Sequence, residues 1–340
     1  MKTIVLVGGG TAGHVIPNLA LIPYLKDFRV VYLGNKNSME EKLCRDNLVR
    51  FLAINSVKFS RTNMISNFKI PFLLPKCVNE CKKLLKKLNP SIVFSKGGFV
   101  SLPVTLASKK LGIPYLIHES DATLGLANKI VAKDAKLVLT NFEKTYTKNN
   151  AKCVGIPLRD SIFSNIPTKN ILNSLRLPDR KTILVVGGSL GAKAINDFIY
   201  DNIDDIVSNY NLIHITGKGK AKNIIKTGYL PIEFTNDIGS LYKCADVVVS
   251  RAGATAIAEI IALNKKAILI PLSKKASRGD QLKNATLVAS NTIKVIPEDS
   301  LNKDSFFDTL TPLLALKTND ETQFNNPSKE IADIIYKLTK

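Results

Sequence analysis

Thr3-Ile4-Val5-Leu6-Val7-Gly8-Gly9-Gly10-Thr11-Ala12-Gly13-His14 is a short β-branched apolar run that breaks into three glycines. Thr182-Ile183-Leu184-Val185-Val186-Gly187-Gly188-Ser189-Leu190-Gly191-Ala192 repeats the pattern in the second half of the chain. Each predicts a strand, a glycine-rich turn and the start of a helix. An unbroken apolar run of this length fits a strand covered on both faces, as in a parallel sheet. The glycines allow positive φ and close backbone approach. The free N–H groups at the following helix start then form a ready site for phosphate or diphosphate.

Working outward, further strands are expected at Val30–Leu33, Ile92–Ser95, Tyr115–His118, Leu137–Thr140, Leu212–Thr216, Asp246–Ser250, Ala267–Pro271 and Thr292–Ile296. Helical patterns lie between them, over Pro17–Lys26, Cys77–Leu88, Ala192–Ile199, Ala254–Leu263 and Gln281–Ala289. This alternation predicts an α/β chain of two doubly wound parallel-sheet domains. The break at Gly155-Ile156-Pro157-Leu158-Arg159 divides it into residues 1–160 and 161–325. Asn326-Pro327 opens a last helix, and this 326–340 segment is expected to pack back on the first domain.

Composition narrows the function. The 340 residues are 45% hydrophobic and 22% charged, which excludes wholesale disorder. Five scattered cysteines without a CxxC pair support neither a disulfide framework nor a zinc site. Residues 1–160 carry 25 Lys/Arg against 10 Asp/Glu, whereas residues 161–340 carry 23 against 18. A net +20 concentrated in the first half predicts an anionic partner: nucleic acid, a membrane surface or a phosphate-rich substrate. No apolar run approaches the roughly 18 residues of a membrane span.

Neither glycine loop ends in G-K-[ST], which argues against P-loop phosphoryl transfer. The second strand ends Leu33-Gly34-Asn35-Lys36, without the acid that a nicotinamide dinucleotide site needs. His14 lies in the first turn after loop one, as a general base or a polar cap. His118 opens the polar cluster His118-Glu119-Ser120-Asp121 at a strand end, and His214 sits in an apolar strand as a core residue. Glu259 lies in an otherwise apolar helix segment. It either accepts hydrogen bonds from a ribose diol or pairs with Arg251. No Asp-x-Asp occurs, so no carboxylate-held metal is expected, and no cofactor.

Gly8–His14, Ser95-Lys96-Gly97-Gly98-Phe99, His118–Asp121, Gly125-Leu126-Ala127-Asn128-Lys129, Gly187–Ala192, Ser250-Arg251-Ala252-Gly253-Ala254 and Arg278-Gly279-Asp280-Gln281 follow one another in a recognisable order. Together they resemble the MurG family of bacterial N-acetylglucosaminyltransferases. The resemblance implies a glycosyltransferase B (GT-B) fold. It also implies inverting, metal-free transfer of N-acetylglucosamine from UDP-N-acetylglucosamine to lipid I, which gives lipid II for peptidoglycan. In family terms the second domain holds the donor: Glu259 on the ribose, Ser189 and its loop on the diphosphate with Arg159 reaching in, Asp280 and Gln281 on the sugar hydroxyls. Thr235 stands near the uracil, and Thr11, Ala12, Gly13 and Asp121 complete the donor contacts. Gly10, Thr11, Gly97 and Gly98 would take the acceptor diphosphate, and His14 would be the base. The chain departs from some members at Ser120-Asp121, Leu190, Asp280 and Thr235.

The charge pattern fits a lipid-linked acceptor. From Lys58 to Lys110 there are 11 basic residues and one acid, Glu80. Phe72, Leu73 and Leu74 precede Lys82, Lys83, Lys86 and Lys87, an arrangement expected of an interfacial membrane patch. The expected setting is therefore the cytoplasmic face of the cell membrane, bound peripherally, with association in a cell-wall synthesis complex. Two rival readings are a UDP-N-acetylglucosamine 2-epimerase on the same fold and a basic nucleic-acid-binding protein. The second lacks aromatic platforms: the chain has no Trp.

Overall fold

The computed structural model describes residues 1–58, 68, 70–163, 168–188, 191–273, 279–317 and 326–340. The chain divides into two compact units, Met1–Arg159 with Asn326–Lys340, and Asp160–Asn325.

The first unit contains β1 (Lys2–Val7), β2 (Phe28–Asn35), β3 (Phe51–Ile54), β4 (Ile92–Ser95), β5 (Tyr115–Glu119), β6 (Leu137–Thr140) and β7 (Ala151–Cys153). They form a seven-stranded parallel sheet in the order β3-β2-β1-β4-β5-β6-β7. The second unit contains β8 (Thr182–Val186), β9 (Asn211–Ile215), β10 (Tyr229–Ile232), β11 (Val247–Ser250), β12 (Lys266–Leu269) and β13 (Ile293–Val295). Its parallel order is β10-β9-β8-β11-β12-β13. In both sheets the order reverses beside the first strand. The switch falls between β1 and β4, and again between β8 and β11. Val7 pairs with Ser95 at one, and Val186 with Ser250 at the other. Open α/β sheets bind ligands outside the carboxyl ends of such strands.

All ten strands expected from the sequence are present. The three additional ones, β3, β7 and β10, are all edge strands. Helix starts are the main correction. The first helix runs Ala12–Leu21 with Pro17 inside it, rather than Pro17–Lys26. The lysine-rich helix runs Ile70–Leu88 with Pro75 inside, longer than Cys77–Leu88.

Each sheet separates two cores. In β1, Val5 and Val7 face one side with Val31, Leu33 and Val93, while Ile4 and Leu6 face the other with Tyr32, Phe94 and Leu116. The last helix, Pro327–Leu338, joins the second of these clusters through Ile331, Ala332, Ile334 and Ile335. The Tyr336 ring lies tilted at 43° to that of Phe28, 5.2 Å away, and its hydroxyl accepts from the Asp27 N–H at 3.2 Å. Asn326 caps this helix by accepting from the Ser328 N–H, and its amide also donates to the Leu158 carbonyl at 2.8 Å.

Ile335 is fully buried. Ile335→Ala should therefore lower stability by about 2–5 kcal/mol, read as a reduced denaturant midpoint. A loss below about 1 kcal/mol would mean that the tail helix contributes little to this core.

Candidate active site

In the first unit, the loops after β1 and β4 converge. A Cβ at Gly98, which has φ +80°, would press onto the Gly9 carbonyl oxygen and lie 3.4 Å from His14 Nδ1. A Cβ at Gly10 would lie 2.7 Å from the Phe99 ring. Gly10, Thr11, Gly97, Gly98 and His14 are thus neighbours at the β1/β4 switch. Ala12 and Gly13 form the first helical turn beside them. Thr11 Oγ1 and His14 Nδ1 are 2.9 Å apart. Glu40, almost fully buried, accepts the Gly10 and Asn35 N–H groups at 3.4 and 3.2 Å and backs this loop.

A buried polar network lies behind the loops. Lys96 Nζ donates to His118 Nδ1 at 2.7 Å and to Ser120 Oγ. His118 Nε2 lies 2.7 Å from the Gly155 carbonyl. A carbonyl only accepts, so Nε2 carries the proton and Nδ1 receives from Lys96. Burial and the Lys96 charge hold the His118 imidazole well below its usual range. His118 therefore supports the loops and does not act as a base. Glu119 accepts from the N–H groups of Ser120 (3.0 Å), Asp121 (3.2 Å) and Gly125 (2.8 Å) and from Asn128 Nδ2 (2.9 Å). Burial raises its carboxyl despite these bonds. The glutamate thereby folds the turn that carries Asp121. Sequence reasoning assigned no role to Lys96, Glu119 or Asn128. A lysine inside a glycine motif at a strand end was the available signal.

In the second unit, a cavity of about 610 Å³ opens at the β8/β11 switch. Gly187, Gly188, Gly191, Ser250, Arg251, Gly253, Gln281 and Glu298 are among its lining residues. Gly191, at φ +70°, leaves no room for a Cβ against the Thr216 carbonyl, which holds the loop close to the end of β9. Arg251 pairs with Glu298 and donates to the Ile270 carbonyl at 3.1 Å. Glu259, half-buried on the helix Ala254–Ala262, accepts from the Tyr242 hydroxyl at 3.1 Å. Gln281 Oε1 accepts the Leu272 N–H at 3.1 Å, and Asp280 opens the helix Asp280–Val288. Thr235 follows β10 and its hydroxyl accepts from the Asp237 N–H at 3.0 Å. Ser189 lies outside the described residues. Arg159 belongs to the first unit; its Nε is buried with no hydrogen-bond partner among the described residues. His214 is a core residue, between Asn196 Oδ1 and the Tyr229 hydroxyl, with burial lowering it to about 4. Among the described residues no cluster of His, Cys, Asp and Glu could hold a metal ion.

Residues 4–140 match the glycosyltransferase family 28 N-terminal domain, and residues 182–338 its C-terminal domain. The chain is 38% identical over 350 residues to a UDP-N-acetylglucosamine--N-acetylmuramyl-(pentapeptide) pyrophosphoryl-undecaprenol N-acetylglucosamine transferase of Clostridium tetani, covering 99% of this chain and 98% of that protein. This chain belongs to glycosyltransferase family 28. Its fold is that of the crystal structure of Acinetobacter baumannii MurG, with a TM-score of 0.76 at 24% identity, covering 99% of this chain and 100% of that one. A UDP-GlcNAc 2-epimerase from Neisseria meningitidis also shares the fold, with a TM-score of 0.63 at 14% identity, covering 99% of each chain. The fold alone therefore does not separate transferase from epimerase; the full-length identity does. The chain is a GT-B glycosyltransferase.

The transferase presents one more distinctive surface, the helix Ile70–Leu88. Ile70, Cys77, Val78, Cys81, Leu85 and Leu88 form its buried stripe. Leu74, expected at the surface, instead packs half-buried against the first core on that same stripe. Phe72 (75% exposed) and Leu73 (41%) project outward, and Phe68 just before the helix is 78% exposed. Lys83, Lys86 and Lys87 are exposed and Lys82 is half-buried.

Gly98→Ala should force the two loops of the first unit apart. Strain at positive φ and the clash with Gly9 should cost about 1–3 kcal/mol and lower transfer at least about tenfold. Thermal unfolding and steady-state rates check this; a wild-type rate would show that loop convergence is dispensable.

Proposed function

We infer that this family 28 enzyme transfers N-acetylglucosamine from UDP-N-acetylglucosamine to the 4-hydroxyl of the N-acetylmuramyl residue of lipid I, giving lipid II for peptidoglycan. The observation that carries this reading is the full-length 38% identity to a transferase of that name, together with a phosphate-type glycine loop at each switch point. Incubation with labelled UDP-N-acetylglucosamine and a lipid I analogue should yield a lipid-linked disaccharide. Its absence would overturn the reading.

The roles divide between the units. In the second, the N–H groups of the Gly187–Gly191 loop take the donor diphosphate, with Ser189 and Arg159 contributing. Glu259, whose carboxylate is oriented by Tyr242, receives the ribose hydroxyls. Gln281 and Asp280 take the sugar hydroxyls, and Thr235 stands toward the uracil. Thr11, Ala12, Gly13 and Asp121 supply the remaining donor contacts. In the first unit Gly10, Thr11, Gly97 and Gly98 hold the acceptor diphosphate. In the tautomer whose Nδ1–H donates to Thr11 Oγ1, His14 carries its basic lone pair on Nε2. The 4-hydroxyl oxygen attacks the anomeric carbon, His14 takes its proton, and the bond to UDP breaks with its electron pair leaving on the diphosphate. One displacement inverts the anomeric centre.

His14→Ala should lower kcat about 10²–10⁴-fold, with a smaller effect on substrate affinity. Turnover of the wild type should fall at acid pH as the imidazole protonates. A variant that keeps most of its turnover would leave His14 as a loop cap.

The acceptor's polyprenyl tail stays in the bilayer, so the enzyme must come to it. Among the described residues no helix is long and apolar enough to cross a membrane. The outer face of Ile70–Leu88 is suited to peripheral contact with the anionic cytoplasmic leaflet. There Phe72 and Leu73 insert and Lys82, Lys83, Lys86 and Lys87 meet headgroups. The same location suits membership of a cell-wall synthesis complex. Exposed apolar residues beside the lysines favour a lipid surface over nucleic acid. Each lysine contributes about 1 kcal/mol, screened by salt. Reversing the four lysines to Glu should abolish salt-sensitive binding to anionic vesicles, and Phe72→Ser with Leu73→Ser should weaken binding that persists at high salt. Turnover on a soluble short-chain acceptor should be unchanged. Normal vesicle binding by the lysine variant would refute the patch.

A further inference from the structure

Lys96 follows β4 directly, and its side chain is buried, with 1% of the residue exposed. Two of the three ammonium hydrogens are taken by His118 Nδ1 and Ser120 Oγ; the third has no acceptor among the described residues. A buried cation without a full set of partners is costly, and nothing in the transfer step described above uses it. Its position is informative. A Cβ placed on Gly8 would lie 2.9 Å from Lys96 Cβ, and Lys96 leads straight into Gly97 and Gly98. The residue therefore lies beneath both glycine loops of the first unit.

We propose that Lys96 is a positioning residue for the acceptor: a cation under the two glycine loops whose charge is completed by the acceptor diphosphate, so that acceptor binding takes up one proton at Nζ. This rests on the reading that those loops hold that diphosphate. Other charged and titratable groups face the loops as well. Glu119 and Asp121 approach from the end of β5. Glu40 backs Gly9, His14 flanks Gly98, and Lys58 lies 5.8 Å over the Phe99 ring. The Tyr32 hydroxyl donates to the Gly8 carbonyl at 2.7 Å. Burial lowers the Lys96 ammonium to about 7, with Glu119 and Asp121 opposing the shift. Much of the free enzyme near neutral pH thus carries the neutral amine. The acceptor diphosphate is esterified at both ends and stays fully ionised through this range. Its negative charge favours the protonated lysine. The bound form therefore holds more protons than the free form. Affinity is full below about pH 7 and falls as pH rises, by at most about tenfold per pH unit for one proton.

The test is calorimetric titration of the full chain, without donor, with a water-soluble short-chain lipid I analogue. It is run at pH 8 in two buffers of different ionisation heat. The wild type should take up close to one proton per acceptor bound. Lys96→Met should take up none at pH 8, bind about tenfold more weakly at pH 6.5, and lose the fall in affinity that the wild type shows above about pH 7. UDP affinity of the variant, expected unchanged, verifies its folding. Wild-type binding without proton uptake overturns the inference even if the variant does not fold. Uptake that persists in folded Lys96→Met overturns it as well. A wild type that does not bind the analogue refutes the acceptor reading itself, and the inference falls with it.

Discussion

Everything in this molecule depends on two parallel strand pairings, β1 with β4 and β8 with β11. A parallel pair cannot be closed by a hairpin, so each strand must be followed by a long crossover. Where the strand order reverses, the chains that leave neighbouring strand ends diverge, and their backbone N–H groups are left to face solvent or a ligand. Val7–Ser95 and Val186–Ser250 mark these two places. The glycines that follow are required because the backbones approach closely: a Cβ on Gly98 would clash with the Gly9 carbonyl of the neighbouring loop, and one on Gly191 with the Thr216 carbonyl after β9. Those loops are the proposed seats of the donor and acceptor diphosphates.

The two switch points are furnished differently. In the second unit the pairing of Arg251 with Glu298 and the Gln281–Leu272 bond line an open cavity. In the first, the polar groups are turned inward, and Lys96, His118, Glu119 and Asn128 brace the loops from behind.

Much of this was legible in the residues. Central strands such as Thr182–Val186 are covered on both faces and read as unbroken apolar runs. The three strands that escaped notice are edges, where one side meets solvent and the apolar run is lost: β7 is Ala-Lys-Cys, and β10 contains Pro231, which cannot donate to a ladder. Pro17 looked like a helix start, yet the helix begins five residues earlier, because the glycine turn ends at Thr11 and a proline is tolerated inside. Leu74 was read with its neighbours Phe72 and Leu73, but helical periodicity turns it by about 100–200° from them, onto the buried stripe. The burial of Lys96 was the least legible: the lysine inside a glycine motif at the end of β4 drew the eye to the position but not to its desolvation. That burial is created by residues distant in sequence, His118 and Ser120 among them.

Asn326 hydrogen-bonds both to the Leu158 carbonyl and to its N–H, at 2.8 and 3.4 Å, where the chain leaves the first unit and where it returns. The second unit is therefore an insertion within the first. Translation must make residues 160–325 before the helix Pro327–Leu338 exists to cover Ile4, Leu6 and Val15. On the ribosome the first-made half waits with one side of its sheet only partly covered, by Val15, Leu21, Leu25 and Cys44, while the later-made half can complete its own fold. The surface that waits longest for its cover thus belongs to the residues made first.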